Sequence, residues 1–187
     1  DENYKSIINS IQRKIETDSN LINITFIGTF NARKGATKIC EIIKKINKNS
    51  VRFNIVGSVD NNYKHILSQN NVTHFEHLNY KEIAKLLLKT KFFIFPTLAE
   101  GSARVVYLAM ASGNIVITTK NAGSIITNGK SGIILEHSNF VDSTIKIINN
   151  YHKQKKDLDI IGILAKKTAI SNRHSEDEYI SKISKLF

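Results

Sequence analysis

The chain has 187 residues, of which 41% are hydrophobic and one is cysteine, and it carries a net charge of +11. That size and composition suit one globular domain with a sizeable core. They exclude a disordered chain, a disulfide framework and a cysteine metal cluster within one chain. No apolar run approaches the roughly 20 residues of a membrane span. Asp1-Glu2-Asn3-Tyr4 lacks the basic and then apolar stretch of a signal peptide, and a start without Met is expected of a cut or processed chain.

The positive charge has three readings: nucleic acid binding, attraction to anionic lipid or phosphorylated substrates, and a background bias toward Lys, Ile and Asn. The lysines are spread along the chain, with small clusters at Arg13-Lys14, Lys44-Lys45 and Lys153/Lys155/Lys156. No aromatic-interleaved basic stripe, RNP, zinc-finger or helix-turn-helix pattern accompanies them. Background bias is therefore preferred, membrane attraction comes second, and no nucleic acid partner is expected. Cys40 stands among Ile39, Ile42 and Ile43 and reads as a small buried apolar residue; a reducing compartment is compatible.

In chain order, Tyr4, Ile7, Ile8, Ile11 and Ile15 share one helical face, giving a leading helix within residues 1–20. A buried strand over Ile22 to Ile27 ends at Gly28. A helix from about Ala36 follows, then a strand from Val51 to Val56 ending at Gly57, a short helix around Tyr63 to Gln69 and a strand near Val72 to Leu78. Asn79 reads as an N-cap with Glu82 three residues later, a capping box. Phe92 to Phe95 is an apolar strand stopped by Pro96, the only proline. A helix from about Ala103 to Ser112 stops at Gly113. Strands at Ile115 to Thr118 and Ile133 to Leu135 come next, and helices over about 140–151, 158–170 and 176–186 complete the chain. Short apolar strands alternating with helices predict an α/β fold: a doubly wound, Rossmann-like parallel sheet of six strands in one domain, residues 1–187, with its ligand crevice at the carboxyl ends of the strands.

Three loops that follow strands carry chemistry. Gly28-Thr29-Phe30-Asn31-Ala32-Arg33-Lys34-Gly35 sets two cations beside a helix start, whose free amides would suit a diphosphate. An ordinary strand-to-helix turn with solvated cations is the equal alternative, since neither GxxxxGK[ST] nor GxGxxG is present. Pro96-Thr97-Leu98-Ala99-Glu100-Gly101-Ser102-Ala103-Arg104 places Glu100 and Gly101 at the sheet edge. Ser102 is a candidate helix cap, or the amides of Ser102, Ala103 and Arg104 are candidate phosphate donors. Glu100 could accept from sugar hydroxyls or simply favour the helix dipole. Asn121-Ala122-Gly123-Ser124 is a weak third signal. His74-Phe75-Glu76-His77 tempts a metal reading, but His74 and His77 point to opposite strand faces and no Pro-Cys-x-x-Cys accompanies them, so no metal is expected.

These loops, in this order, resemble the large family of retaining glycosyltransferases with the two-domain GT-B architecture that includes glycogen and sucrose synthases. The resemblance covers about Ile22 to Ile148. It includes "IGTFNARKG", "FNIVGS" and the run from Lys91 to Gly132 with its buried strand, Pro, Glu-Gly, Ala-Met-Ala-x-Gly and Asn-Gly turn. It implies the carboxy-terminal, donor-binding half of an enzyme that moves a sugar from a nucleoside diphosphate to a glycan or lipid-linked acceptor, without metal or cofactor, in polysaccharide or cell-surface glycan synthesis. By position, Lys34 with Arg33 would hold the diphosphate. Ser102 to Arg104 would bind phosphate through their amides, and Glu100 would hold the donor sugar. Gly28, Thr29, Gly101 and Gly123 would line the cleft, while Gly57, Ser58 and the Leu78 to Tyr80 loop around Asn79 would flank the base. The resemblance also implies an amino-terminal acceptor domain, in cis or as a separate subunit, onto which residues 174–187 would pack. The expected location is cytoplasmic, with peripheral contact at the membrane face left open.

Two positions depart from the family pattern. Thr29 stands where the family often has Arg. Leu108 stands where a second carboxylate would grip the ribose, a loss of about 1.5–3 kcal/mol of donor binding. A non-catalytic homologue with weak nucleotide affinity is therefore the alternative, and a sugar epimerase on the same fold is a further one.

Overall fold

The computed structural model describes residues 21–171. The leading helix expected within residues 1–20 and the terminal helix expected over 176–186, with Tyr179, Ile180, Ile183, Leu186 and Phe187 on its apolar face, lie outside the described residues.

Six strands form one parallel sheet: β1 (Ile22–Ile27), β2 (Val51–Val56), β3 (Val72–Phe75), β4 (Phe92–Phe95), β5 (Ile115–Thr118) and β6 (Ile133–Ile134), in the order β3-β2-β1-β4-β5-β6. Five helices cover it: α1 (Ala36–Lys45), α2 (Tyr80–Lys89), α3 (Arg104–Ala111), α4 (Phe140–Asn149) and α5 (Lys155–Ser171). From β1 the winding steps one way to β2; from β4 it steps the other way to β5. Right-handed crossovers therefore put α1 and α3 on opposite faces, with α4 packed on α1 and α5 packed on α3. β1, β2, β4 and β5 are apolar and buried nearly throughout, as strands covered on both faces must be.

Several boundaries differ from the sequence expectation, among them that of α5, which starts at Lys155 and not at Leu158. β3 stops at Phe75 instead of Leu78, because its neighbour β2 ends at Val56, the partner of Phe75, and leaves the backbone beyond nothing to pair with. β6 is shorter by one residue, although the amide of Leu135 still donates to the carbonyl of Thr118 at 2.9 Å. The segment expected as a short helix is a 3-10 turn over Asn61–Ser68, in which Ile66 alone is fully buried. α3 begins at Arg104 behind Ala103, and its N-cap makes no side-chain hydrogen bond, so Ser102 is not the cap. The capping box at α2 forms as expected: Asn79 accepts from the amides of Lys81 and Glu82, and Glu82 accepts from the amide of Asn79 at 2.8 Å.

Several polar groups inside the core are paired across elements. Thr25 and Thr90 share a 2.6 Å hydrogen bond, and the Asn114 side chain donates to the carbonyls of Leu87 and Thr90, tying the ends of α2 and α3 together. At the amino edge of the sheet, Asp159 of α5 accepts from both Lys91 and Tyr151 at 3.0 Å.

Burial pushes the Cys40 thiol from 9.0 up to about 11. Burial first, and the charge and hydrogen bond of Asp159 second, push the Tyr151 phenol above its ordinary 10.0. Both groups ionise in the unfolded chain before the folded one, so the stability they hold is complete below pH 9 and is lost as pH rises. Denaturant midpoints should fall as pH rises from 9 to 11, and Cys40→Ala should move the onset of that fall toward pH 10. Asn79→Ala should lower unfolding stability by about 1 kcal/mol, measured in urea, through loss of the two amide contacts at the start of α2.

Candidate functional site

β1 and β4 lie side by side although two strands separate them in the chain, with Ile24 opposite Phe92 and Thr25 opposite Phe93. The winding reverses between them. In a doubly wound sheet the crevice outside the carboxyl ends at such a point is where a ligand lies. Here the two loops that open there are residues 28–35, after β1, and residues 96–103, after β4.

Backbone contact locks these loops together. Gly35 takes φ 85°, a left-handed conformation, and a Cβ on it would strike the carbonyl and ring of Pro96. Beside it, the amide of Leu98 donates to the carbonyl of Arg33 at 2.8 Å and the Thr97 hydroxyl reaches the same oxygen at 3.3 Å. The turn over 119–123 braces the second loop from behind. The Thr119 hydroxyl donates to Thr97 O at 2.6 Å, the amide of Glu100 donates to Asn121 O at 2.9 Å, and Gly123 sits directly on the carbonyl of Gly101. A cavity of about 380 Å³ opens between them, lined by Arg33, Leu98, Ala99, Glu100, Gly101 and Asn121.

The charged groups converge on one carboxylate. Arg33 Nη1 lies 2.9 Å from Glu100 Oε1 and also donates to Ala99 O at 2.8 Å. Lys34 Nζ lies 3.5 Å from the same oxygen, folded over Gly28 and 5.8 Å from the Phe95 ring centre. Glu100 and Lys34 are largely shielded, whereas Arg33 is half exposed. Two cations against one carboxylate leave the mouth of the crevice net positive, and the more exposed one is free to turn toward an anion.

The structure thus brings Gly28, Arg33, Lys34, Glu100 and Gly101 into one place. Thr29 is exposed on the rim. Gly57 packs on the carbonyl of Gly28, and the carbonyl of Ser58 accepts from the amide of Phe30 at 2.7 Å, so the β1 and β2 loops form a continuous ledge. His74 hydrogen bonds through Nε2 to Gly57 O at 2.9 Å, and His77 is exposed. Among the described residues no three His, Cys, Asp or Glu side chains converge as a metal set.

Two expectations need correction. The amides at the start of α1 are not free: those of Lys34, Gly35 and Ala36 donate to the Asn31 side chain, Ala32 O and Asn31 O. The amide of Ala103 is also engaged, with Ala122 O at 3.2 Å, while Ser102 and Arg104 beside it are exposed. What the first loop can offer an anion is therefore the side chains of Arg33 and Lys34. Asn79 spends its side chain on the α2 cap, leaving Tyr80, 80% exposed, as the prominent side chain of that loop. Leu108 lies one turn into α3 from Arg104, partly exposed, and does not line the cavity. Sequence reasoning named Thr97, Leu98 and Asn121 only as members of candidate loops, with no role of their own, and left out Thr119. Their signal was only the placement of polar residues just after β4 and β5.

Residues 22–152 match the family model described as "Glycosyl transferases group 1". The chain belongs to that family. It is 28% identical over 170 residues to an uncharacterised glycosyltransferase of Methanocaldococcus jannaschii, a match covering 83% of this chain and 48% of that protein, so the chain spans about half of that relative's length. Its fold matches Anabaena HepE, solved with UDP and glucose, at TM-score 0.72 and 16% identity, over 95% of this chain and 52% of that one. It also matches the C-terminal domain of the group 1 glycosyl transferase LpcC of Francisella tularensis at TM-score 0.68 and 16% identity, over 89% of this chain and 91% of that domain. The architecture is one Rossmann-like half of the GT-B fold.

Gly35→Ala should destabilise this glycosyl transferase domain by more than about 1 kcal/mol in thermal or urea unfolding, because Ala combines an unfavoured backbone conformation with a clash against Pro96.

Proposed function

We propose that this chain is the donor-binding, carboxy-terminal half of a retaining glycosyltransferase, taking a nucleoside diphosphate sugar in the crevice between the β1 and β4 loops. The reading rests on one arrangement: Arg33, Lys34 and Glu100 meeting over a cavity at the point where the sheet reverses. A diphosphate would displace Glu100 as the partner of the two cations. The freed carboxylate would then accept from the hydroxyls of the donor sugar. As the glycosidic bond to the phosphate breaks, negative charge grows on the departing nucleotide. Arg33 and Lys34, with the amides of Ser102 and Arg104 at the start of α3, would stabilise it without metal or cofactor. The ledge of Gly28, Thr29, Gly57 and Ser58 would support the nucleoside, with Asn79 and Tyr80 at its far edge and Gly123 behind Gly101.

The acceptor, a glycan or a lipid-linked saccharide, would be held by an amino-terminal domain in cis or by a separate subunit, at the cytoplasmic side of the membrane. Residues 1–187 would act as one unit, and this half by itself would not turn over. A second reading, a non-catalytic binding domain, draws support from Leu108, an apolar residue at the position where the family resemblance implies a carboxylate that grips ribose.

Calorimetric titration with UDP, GDP, ADP and their sugar conjugates tests both. The donor reading expects one nucleotide to bind and Lys34→Ala to weaken it by about tenfold or more. Glu100→Ala should spare the free nucleotide and weaken the sugar conjugate. No binding by the parent chain, together with binding by Leu108→Glu, would favour the non-catalytic reading.

A further inference from the structure

Asn121 lines the crevice, yet the donor reading gives it no part. Its backbone is clamped to the loop that carries Glu100. Asn121 O accepts from the amide of Glu100 at 2.9 Å, and Ala122 O accepts from the amide of Ala103 at 3.2 Å. Gly123 follows, so close to the carbonyl of Gly101 that a Cβ would strike it, and Ala122 between them is fully buried. The Asn121 side chain therefore starts from a fixed point beside Glu100.

The side chain itself is not engaged. Asn121 is partly buried, and among the described residues its carboxamide makes no hydrogen bond. The other polar side chains around it are occupied. Asn31 accepts from the amide of Lys34, Thr97 and Thr119 brace the second loop, and Arg33 is held by Ala99 O and Glu100. Folding thus leaves one rigidly placed carboxamide facing the cavity.

We propose that Asn121 is a specificity-determining residue for the donor sugar, its carboxamide and the Glu100 carboxylate gripping neighbouring hydroxyls of one hexose. The inference rests on the donor reading above. The two groups are complementary: an ionised carboxylate only accepts, whereas a carboxamide donates through Nδ2 and accepts through Oδ1. Two hydroxyls on adjacent ring carbons present the same mixture, since each gives one proton and offers lone pairs. The remaining wall has little to add. Arg33 goes to the diphosphate under that reading, and Leu98, Ala99 and Gly101 have no polar side-chain atom. Because the backbone contact between Asn121 and Glu100 fixes the spacing of the two groups, inverting one hydroxyl takes it away from its partner and leaves a polar group unpaired.

Calorimetric titration tests this in the parent chain, Asn121→Ala and Asn121→Leu. The ligands are UDP with its glucose and galactose conjugates, and GDP with its glucose and mannose conjugates. In the parent, one conjugate should bind more tightly than its epimer and than the free nucleotide. In both variants that preference should fall about three- to tenfold. Affinity for the free nucleotide and melting temperature should stay unchanged, since the fold uses only the backbone of Asn121. A preference that survives in both variants would overturn the proposal. So would its loss in Asn121→Ala with retention in Asn121→Leu, which keeps the size of the side chain and would assign the effect to packing. Sugar conjugates that bind the parent no better than free nucleotide would overturn it too, while leaving the nucleotide site standing. Absence of binding by every nucleotide would overturn the donor reading itself, and the proposal with it.

Discussion

Gly35 rests on the backbone of Pro96, and that contact decides where every charged group of the crevice goes. Pro96 ends a strand of four aromatic and aliphatic residues buried on both faces, so its position is fixed by the core. Gly35 ends the loop from the neighbouring strand and can approach because it has no side chain. Once the two are in contact, Arg33 lies against Ala99 and Glu100, and Lys34 folds back over Gly28. The site is thus a consequence of two strands being adjacent and of one residue being small enough to let their loops meet.

The charges of the crevice balance only in part. A single carboxylate oxygen serves two cations, one of them half exposed. The Arg33 pair is open to solvent on the arginine side and holds little folding energy. Rigidity comes from elsewhere: from the hydroxyls of Thr97 and Thr119, from Asn121 O on the amide of Glu100, and from Gly123 on Gly101. These neutral contacts hold the second loop independently of the charges above it.

The same structure explains why the amide reading of the first loop needed correction. A sequence such as Asn31-Ala32-Arg33-Lys34-Gly35 at a helix start leaves open whether its amides face outward. Asn31 settles it locally, accepting from Lys34 with its side chain and from Ala36 with its carbonyl. The loop closes on itself, and its side chains, not its backbone, are what face the crevice.

Much of this fold was legible in the sequence because its signals are strong and local. Six apolar strand runs, two of them closed by glycine and one by proline, and the Asn79/Glu82 capping box fix the alternation of strand and helix within a few residues. Arg33, Lys34 and Glu100 could be named from their loops alone, since residues just beyond strand ends must sit at the carboxyl edge. Strand ends such as Phe75 could not, because a strand stops where its neighbour stops. Nor could the sequence reveal that Glu100 spans both cations or that Asn121 and Leu98 line the cavity. Those facts depend on distances between segments far apart in the chain, and such distances exist only after the β1 and β4 strands have paired.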